Sequence, residues 1–178
     1  MAFTTPATAV SLSIITAGWL NTYVRDNIAW MATDSPAARV YRSSNLAVGT
    51  GAWGSIGYDS ERFDNASIHD NVTNNDRLTI PTGGSGKYII GGGLSWQVSG
   101  AGGGRSVRIG VNGTGTLIAW VASFPSATVG SEATPTTVYA MSAADYLIFQ
   151  AWQDSGGNLN AASVANYSPE FWCLWFRT

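Results

Sequence analysis

Hydrophobic and polar residues alternate most regularly between positions 88 and 98. Every second residue falls on one face, and five of these six are apolar: Tyr88, Ile90, Gly92, Leu94, Trp96 and Val98. Successive side chains of a strand point to opposite sides of a sheet, so this pattern predicts a long, half-buried strand. Residues 81–86 before it predict a turn, and residues 77–80 predict a second short strand. This region is therefore the predicted middle of an antiparallel all-β domain.

The chain after residue 37 contains further short segments of the same kind. Two strands are predicted on either side of Asn112-Gly113, which is the strongest hairpin signal in the sequence. About ten short strands at near-regular spacing predict a β-sandwich or a barrel. The remaining predicted strands are residues 39–41, 53–56, 105–111, 117–122, 137–141, 146–152, 159–164 and 170–177, with polar loops over 65–76 and 124–135.

Two of these predicted strands, residues 146–152 and 170–177, carry apolar side chains on both faces. A strand of a simple two-layer sandwich has one face in the core and the other in water. A strand that is apolar on both faces therefore predicts a second partner, and neighbouring copies of the chain supply one. We predict a homo-oligomer whose interface candidates are the aromatic and aliphatic residues Phe149, Trp152, Trp172, Leu174 and Phe176.

The N-terminal region has a different pattern. Residues 1–15 are rich in Ala, Thr and Ser, carry no charge and contain Pro6, which predicts an extended arm. Thr16 stands at a predicted N-cap, and residues 33–36 end the helix that it begins. The apolar stripe of this predicted amphipathic helix consists of Trp19, Leu20, Tyr23, Val24, Ile28 and Met31.

Two interpretations of the helix remain open. It covers one open end of its own domain, or it bundles with copies of itself or docks on a host structure. In either case we expect two units, residues 1–36 with the arm and helix, and residues 37–178 with the β domain.

Composition narrows the range of partners. Only 11% of residues are charged, against roughly a quarter in ordinary soluble domains, so we expect part of the surface to be buried against other copies. The net charge of −2 and the absence of any run of Lys or Arg exclude a nucleic-acid binder.

No signal peptide or membrane-spanning run is present, so we expect synthesis in the cytoplasm without export by the usual route. Cys173 stands alone and is predicted to be a small core residue of the last strand.

The Asn/Asp-rich loop over residues 64–76 contains the single histidine, His69. Its oxygen-rich composition suits a hard cation such as calcium, but the same composition is typical of turns, and both interpretations stay open. Glu61, Asp64 and Asp70 form the only carboxylate cluster, and we expect Glu61 and Asp64 to form salt bridges with Arg62 or Arg77.

Signatures of catalysis are missing from the sequence. It contains no nucleophile elbow, phosphate loop or zinc signature, and the glycine-rich residues 100–104 join two strands instead of opening a helix. We therefore predict a non-enzymatic protein with no catalytic residue, cofactor or metal ligand. Trp53, at the start of a predicted short strand, and Tyr167, in a predicted loop, are candidates for stacking on sugar rings, with core or interface packing as the alternative for both.

Several short motifs resemble those of a known fold family. Ser60-Glu61-Arg62-Phe63-Asp64, His69-Asp70, Arg77-Leu78-Thr79-Ile80-Pro81 and Gly86-Lys87-Tyr88 resemble the central block of the trimeric jelly rolls. That fold is shared by tumour necrosis factor, the complement subcomponent globular heads and bacterial collagen-like spore-surface proteins. Residues 141–145 resemble the family's turn before its penultimate long strand, although Gly-Asp is more usual there. The resemblance covers roughly residues 38–178 and implies a homotrimeric jelly roll.

The N-terminal segment resembles another group. Residues 15–28 (ITAGWLNTYVRDNI) are similar to the opening segment of small tailed-phage structural proteins, where that segment precedes a jelly roll of this type. The resemblance implies a virion component, such as a short fibre, spike or decoration protein, attached to other virion proteins through residues 1–31. It runs from Met1 to Thr178, so we expect a complete chain. One alternative is a glycan-binding trimer that contacts a host-surface glycan. Another is a glycan-hydrolysing spike, which the small number of carboxylates disfavours, because such an enzyme needs a pair of them.

Overall fold

The computed structural model of the protein describes residues 3–8 and 14–177. Within them, a helical segment precedes thirteen strands. The helical segment consists of α1 (Ala17–Leu20), a π-helical stretch (Asn21–Arg25), α2 (Asp26–Ala29) and a second π-helical stretch (Trp30–Asp34). The strands are β1 (Ala37–Tyr41), β2 (Leu46–Val48), β3 (Gly54–Ser55), β4 (Ser60–Asp64), β5 (Arg77–Thr79), β6 (Gly86–Trp96), β7 (Arg105–Val111), β8 (Thr116–Ser123), β9 (Glu132–Ala133), β10 (Thr136–Met141), β11 (Tyr146–Gln153), β12 (Leu159–Ala162) and β13 (Glu170–Arg177).

The strands form two antiparallel sheets of a sandwich. The larger sheet runs β2-β12-β6-β13-β1-β4, and β9 and β10 also pair with β6. The smaller sheet runs β3-β11-β7-β8, and β5 also pairs with β11. Some neighbouring strands in the sheets are distant in sequence. For example, the first strand, β1, pairs with the last, β13. The predicted all-β sandwich of antiparallel strands is confirmed.

The core lies between the inner faces of the two sheets. The strand predicted from the alternating pattern is β6, which lies between β12 and β13 and buries Tyr88, Ile90, Leu94 and Trp96. From the smaller sheet, Phe149 stacks on Phe171 of the larger sheet, with ring centroids 5.6 Å apart. Each fully buried side chain of this kind contributes about 1.5–3 kcal/mol relative to exposure. Val98 was predicted on the same face, but it is exposed because the strand ends at Trp96.

The predicted strands are all observed within a few residues of their expected limits, and three short strands were missed. These are β2, β4 and β9, which have 3, 5 and 2 residues. β9 lies inside the predicted polar loop over residues 124–135 and pairs with β6 through Leu94 and Ala133. The predicted hairpin is confirmed, because Asn112 and Gly113 take φ values of 52° and 106° between β7 and β8.

The predicted helix is present, with one correction to its form. Thr16 caps it as expected, since the Thr16 Oγ1 accepts a hydrogen bond from the Trp19 N–H at 3.2 Å. The pattern predicted a regular α-helix, whereas the helical run contains two stretches of π-helix, which local propensity does not signal. Among the described residues, no helix is long and apolar enough to cross a membrane.

Candidate functional site

The outer face of the larger sheet is apolar because β13 alternates between core and surface. Phe171 and Cys173 are buried in the core, whereas Trp172 and Leu174 point to the outside. The register places Ile89 beside Leu174 and Val138 beside Ile89. Leu174 and Val138 remain 45% and 57% exposed. We call this surface the larger-sheet face, and its residues are Phe63, Ile89, Val138, Trp172 and Leu174.

A groove opens on the larger-sheet face. Its volume is about 310 Å³, and it is lined by Ala38, Arg39, Phe63, Trp172, Cys173 and Leu174. The Trp172 indole lies over Gly91, where an added Cβ would come within 2.5 Å of the indole carbon Cζ2. A glycine at position 91 is therefore needed for the Trp172 ring to occupy this position.

A buried charge cluster lies at one end of this face. Glu170 of β13 is 1% exposed and forms salt bridges with Arg39 of β1 and with Arg62 of β4, the latter at 3.0 Å. The Arg39 Nη2 also donates a hydrogen bond to the Asn166 carbonyl at 2.6 Å. The Arg62 guanidinium lies 3.9 Å from the centre of the Tyr41 ring. The cluster joins three neighbouring strands and carries one net positive charge.

The helical segment contacts the domain near its C-terminus, where the Thr33 carbonyl accepts a hydrogen bond from the Asn65 side chain at 3.3 Å. Trp30 is buried and meets Trp175 edge-on, with ring centroids 4.6 Å apart. The described part of the arm lies along the same segment, where Phe3 approaches Trp30 at 5.7 Å. The Asn27 side chain accepts a hydrogen bond from the Thr4 N–H at 2.9 Å and donates one to the Thr4 carbonyl at 2.7 Å. Phe3 and Thr4 are thus tied to the helix. Residues 1, 2 and 9–13 of the predicted arm lie outside the described residues.

The predicted apolar stripe of the helix is largely uncovered by its own domain. Leu20, Val24, Ile28 and Met31 are exposed, and the half-buried Trp19 and Tyr23 rings contact each other at 5.3 Å. Trp30, which is adjacent to the stripe residue Met31 in sequence, packs on Trp175 of the domain instead. Covering the domain therefore accounts for Trp30 but not for the stripe, whose role as an attachment or oligomer contact stays a prediction.

The outer face of the smaller sheet combines aromatic rings with fixed polar groups. Arg108 of β7 lies opposite Gln150 of β11 and Trp120 of β8 in the sheet register. Its guanidinium lies 4.1 Å from the centre of the Trp53 ring, and the Trp53 and Trp152 rings are 6.5 Å apart. We call this surface the smaller-sheet face, and its residues are Trp53, Arg108, Trp120, Gln150 and Trp152.

The five predicted interface residues do not share one surface. Phe149 is 0% exposed and lies in the core, so its assignment to an interface is wrong. Its apolar neighbour across the sandwich is Phe171 of the same chain, which the sequence pattern could not distinguish from a partner subunit. Trp152 belongs to the smaller-sheet face, whereas Trp172 and Leu174 belong to the larger-sheet face. Phe176 is exposed near the end of β13.

The two predicted sugar-stacking aromatics also lie apart. Trp53 is part of the smaller-sheet face and lines a cavity of about 140 Å³ formed with residues 46–49. Tyr167 is exposed in the loop between β12 and β13, next to the larger sheet. Its backbone carbonyl oxygen would lie 2.5 Å from a Cβ added to Gly93.

The carboxylates of the loop over residues 64–76 hold the loop itself. Asp64 accepts hydrogen bonds from the backbone N–H groups of Ala66 and His69, at 3.0 and 2.8 Å. Asp70 accepts from the N–H groups of Val72 and Thr73, and these bonds lower its pKa. Among the described residues, no group of three His, Cys, Asp or Glu side chains is placed to hold a metal ion.

The expected salt bridges of Glu61 and Asp64 with Arg62 or Arg77 are not formed. Glu61 lies 3.1 Å from the Nδ1 of His69 instead, and the Nε2 of His69 lies 3.1 Å from the Asn75 carbonyl. Arg62 turns to Glu170, which belongs to a strand more than a hundred residues away in the sequence. The fully buried His69 ring thus connects the loop to β4 and has a structural role.

The glycine-rich residues 100–104 cradle an anion, but this anion is a side chain of the same chain. The Asp154 Oδ1 accepts hydrogen bonds from the N–H groups of Gly103 and Gly104 at 2.8 and 2.9 Å, and these bonds lower the pKa of Asp154. Gly102 has a φ of +81°, a conformation that other residues rarely adopt.

Cys173 is buried as predicted, and burial raises its pKa to about 12.

Sequence reasoning missed several residues of the two outer faces. Ile89 and Val138 lie on strands that were predicted, but their position beside Leu174 follows from strand pairing, which the sequence does not encode locally. Arg108 lies on the predicted strand over residues 105–111, on the face opposite Val107 and Ile109. Its position over an indole depends on Trp53, 55 residues earlier in the chain.

Comparisons with known proteins support the fold. No protein-family model and no curated protein sequence matches this chain. The structure is similar to that of murine APRIL at pH 5.0, with a TM-score of 0.59, 6% identity, and coverage of 79% of this chain and 98% of that one. It is also similar to the globular domain of the zebrafish complement 1qA protein, with a TM-score of 0.56, 13% identity, and coverage of 80% and 99%. These likenesses confirm the predicted jelly-roll fold.

Proposed function

We propose that the protein is a homotrimeric, non-enzymatic structural component of a phage particle, such as a short fibre, a spike or a head or tail decoration protein. The jelly roll self-associates through the larger-sheet face. Residues 1–31, with the exposed helix stripe, attach the trimer to other virion proteins, and the domain projects outward, where it can contact the host surface.

The larger-sheet face is the observation that carries this proposal. It presents contiguous aromatic and aliphatic side chains around a groove of about 310 Å³. Soluble monomers rarely expose apolar patches of this kind, and such patches are typical of surfaces that bind another protein. The low proportion of charged residues and the resemblance to trimeric jelly rolls both favour other copies of the chain as the partner.

The helix stripe supports a separate attachment surface. Trp30 and Asn27 already contact the domain and the arm, so the exposed side chains of the stripe are free to meet a different partner. Leu20, Val24, Ile28 and Met31 are spaced by three or four residues, which is the spacing of a helix that packs lengthwise against another surface.

A glycan-hydrolysing role is disfavoured by the positions of the carboxylates. Cleavage of a glycosidic bond needs a pair of carboxyl groups free to act on the sugar. Glu61 is engaged by His69 and Asn71, and Asp64 and Asp70 cap the backbone of their own loop. A glycan-binding trimer is the second candidate, and the smaller-sheet face favours it.

The virion role is tested on particles purified from cells that carry the gene. Mass spectrometry and antibody labelling in the electron microscope are expected to find the protein on the particles. The double variant Val24→Lys/Ile28→Lys should remain in the soluble fraction, because two cations on the stripe prevent apolar docking. Val72→Lys, in an exposed loop, is the matched control and should be incorporated normally. Absence of the wild-type protein from the particles, or normal incorporation of the stripe variant, contradicts the proposal.

A further inference from the structure

Among the described residues, Arg108 is a partly buried cation without an acidic partner. Its Nε donates a hydrogen bond to the neutral Gln150 Oε1 at 2.8 Å, and its two Nη groups have no protein acceptor in the described part of the chain. Burial lowers its pKa from the usual value of a guanidinium. Five other arginines each lie within 4.0 Å of a carboxylate: Arg25, Arg39, Arg62, Arg77 and Arg105. Arg42 has no such carboxylate either, but its Nη1 donates a hydrogen bond to the Gly57 carbonyl at 3.0 Å. The Nη groups of Arg108 are therefore available to an anion that comes from outside the chain.

The guanidinium is held in a fixed orientation. Gln150 is itself buried, and its Nε2 donates a hydrogen bond to the Ser55 Oγ at 3.3 Å. The Trp53 ring supports the guanidinium from one side at 4.1 Å. An arginine positioned in this way loses little conformational freedom when it binds a carboxylate with two parallel hydrogen bonds.

Three indole rings lie on the same sheet face as this cation, and the Trp53 ring is the one in contact with it. Trp152 lies 6.5 Å from Trp53, and Trp120 lies directly across from Arg108 in the register and is 64% exposed. Indoles offer large, rigid and apolar faces that bind with little loss of side-chain entropy. A sugar ring has the matching chemistry, since its C–H side packs on an indole while its hydroxyl and carboxylate groups accept from a guanidinium.

We infer that the smaller-sheet face binds a carboxylate-bearing sugar, with the Arg108 guanidinium donating to the carboxylate and Trp53 and Trp120 packing against the rings. A second copy of the same face is a poor occupant, because it would bring two Arg108 cations together. The larger-sheet face lies on the other side of the sandwich, so self-association there leaves this site open. The inference rests on the second candidate function, glycan binding, and names the chemical class of its ligand. It does not depend on the virion role and is tested on the isolated protein, so either can fail without the other.

The test is a titration of the full-length protein followed by tryptophan fluorescence and calorimetry. The probes are oligogalacturonate, oligosialic acid and hyaluronan oligomers, and methyl-esterified oligogalacturonate is the neutral control for the first. Saturable binding of at least one acidic probe is expected, together with much weaker binding of the methyl ester. Loss of the charge in Arg108→Gln should weaken binding by about tenfold or more. Trp120→Ala should also weaken binding. Tyr167→Ala, in the loop beside the larger sheet, and Lys87→Gln, on β6 of that sheet, should not.

The far-ultraviolet circular dichroism and melting temperature of each variant show whether it is folded. A second and milder substitution at the same position is Arg108→Lys. It keeps the charge but loses the paired donors, so its affinity should fall between those of the wild type and Arg108→Gln. The inference is overturned if none of the three acidic probes binds at millimolar concentration. It is also overturned if the methyl ester binds as well as the acid, or if folded Arg108→Gln binds like the wild type.

Discussion

The substitution Glu170→Gln removes a buried charge and keeps the shape of the side chain. Glu170 forms salt bridges with Arg39 and Arg62, and its own side chain is 1% exposed. Removing one partner of a buried ion pair costs about 3–5 kcal/mol of the free energy of unfolding. The two arginines keep 37% and 31% of their side-chain surface exposed, so water can solvate the freed guanidinium groups. We therefore expect the lower end of that range, about 3 kcal/mol.

Urea unfolding followed by tryptophan fluorescence measures this loss. With a slope of about 2 kcal/mol per molar urea, the midpoint should fall by about 1.5 M. Wild type and variant must be compared at one chain concentration, because self-association adds stability by mass action. Glu132→Gln, on the exposed side of the short strand β9, is the control and should change stability by no more than about 0.5 kcal/mol. A loss below about 1 kcal/mol for Glu170→Gln would refute the reasoning.

Three further predictions concern other parts of the chain. The pKa of Asp154 is lowered by the backbone hydrogen bonds of the loop over residues 100–104, so its stabilisation is full above the ordinary aspartate pKa and is lost as the pH falls through the lowered value. Hydrogen-exchange protection of that loop should therefore fall in acid in the wild type, and Asp154→Asn should be less protected at neutral pH and insensitive to acid. Gly92→Ala should cost about 1–3 kcal/mol in thermal unfolding, because its Cβ would lie 3.0 Å from the buried Phe149 ring, and an unchanged melting temperature would contradict this. Asn27→Ala should release the arm, so that a protease removes it faster while the domain stays intact, and equal cleavage rates would show that the arm is held otherwise.

The strands that the sequence predicted well are those whose signal is local. β6 and β13 alternate over many residues, and this period is visible without knowledge of any partner. β9 has 2 residues and β4 carries mostly charged side chains, so they exist because the backbone of a neighbouring strand pairs with them. Pairing between residues far apart in sequence leaves no mark in the local pattern.

The predictions of interface residues also depended on which strands pair and which sheets pack together. The strand containing Phe149 is apolar on both faces, and the sequence alone does not say whether its second partner is the other sheet or another subunit. Leu174 is exposed because it follows a residue that faces the core, and its role in an interface stays a prediction. The special position of Arg108 depends on the presence of Trp53 and on the absence of a carboxylate partner among the described residues, both of which are properties of the folded chain.

Self-association through the larger-sheet face predicts a defined mass in solution. Multi-angle light scattering of the full-length protein should give three times the 18.7 kDa of one chain. Leu174→Asp places a charge in the middle of the face and should reduce the mass to that of one folded chain, whereas Trp120→Ala on the smaller-sheet face should remain a trimer. A wild-type protein with the mass of a single chain, or a Leu174→Asp variant that stays trimeric, would contradict the account.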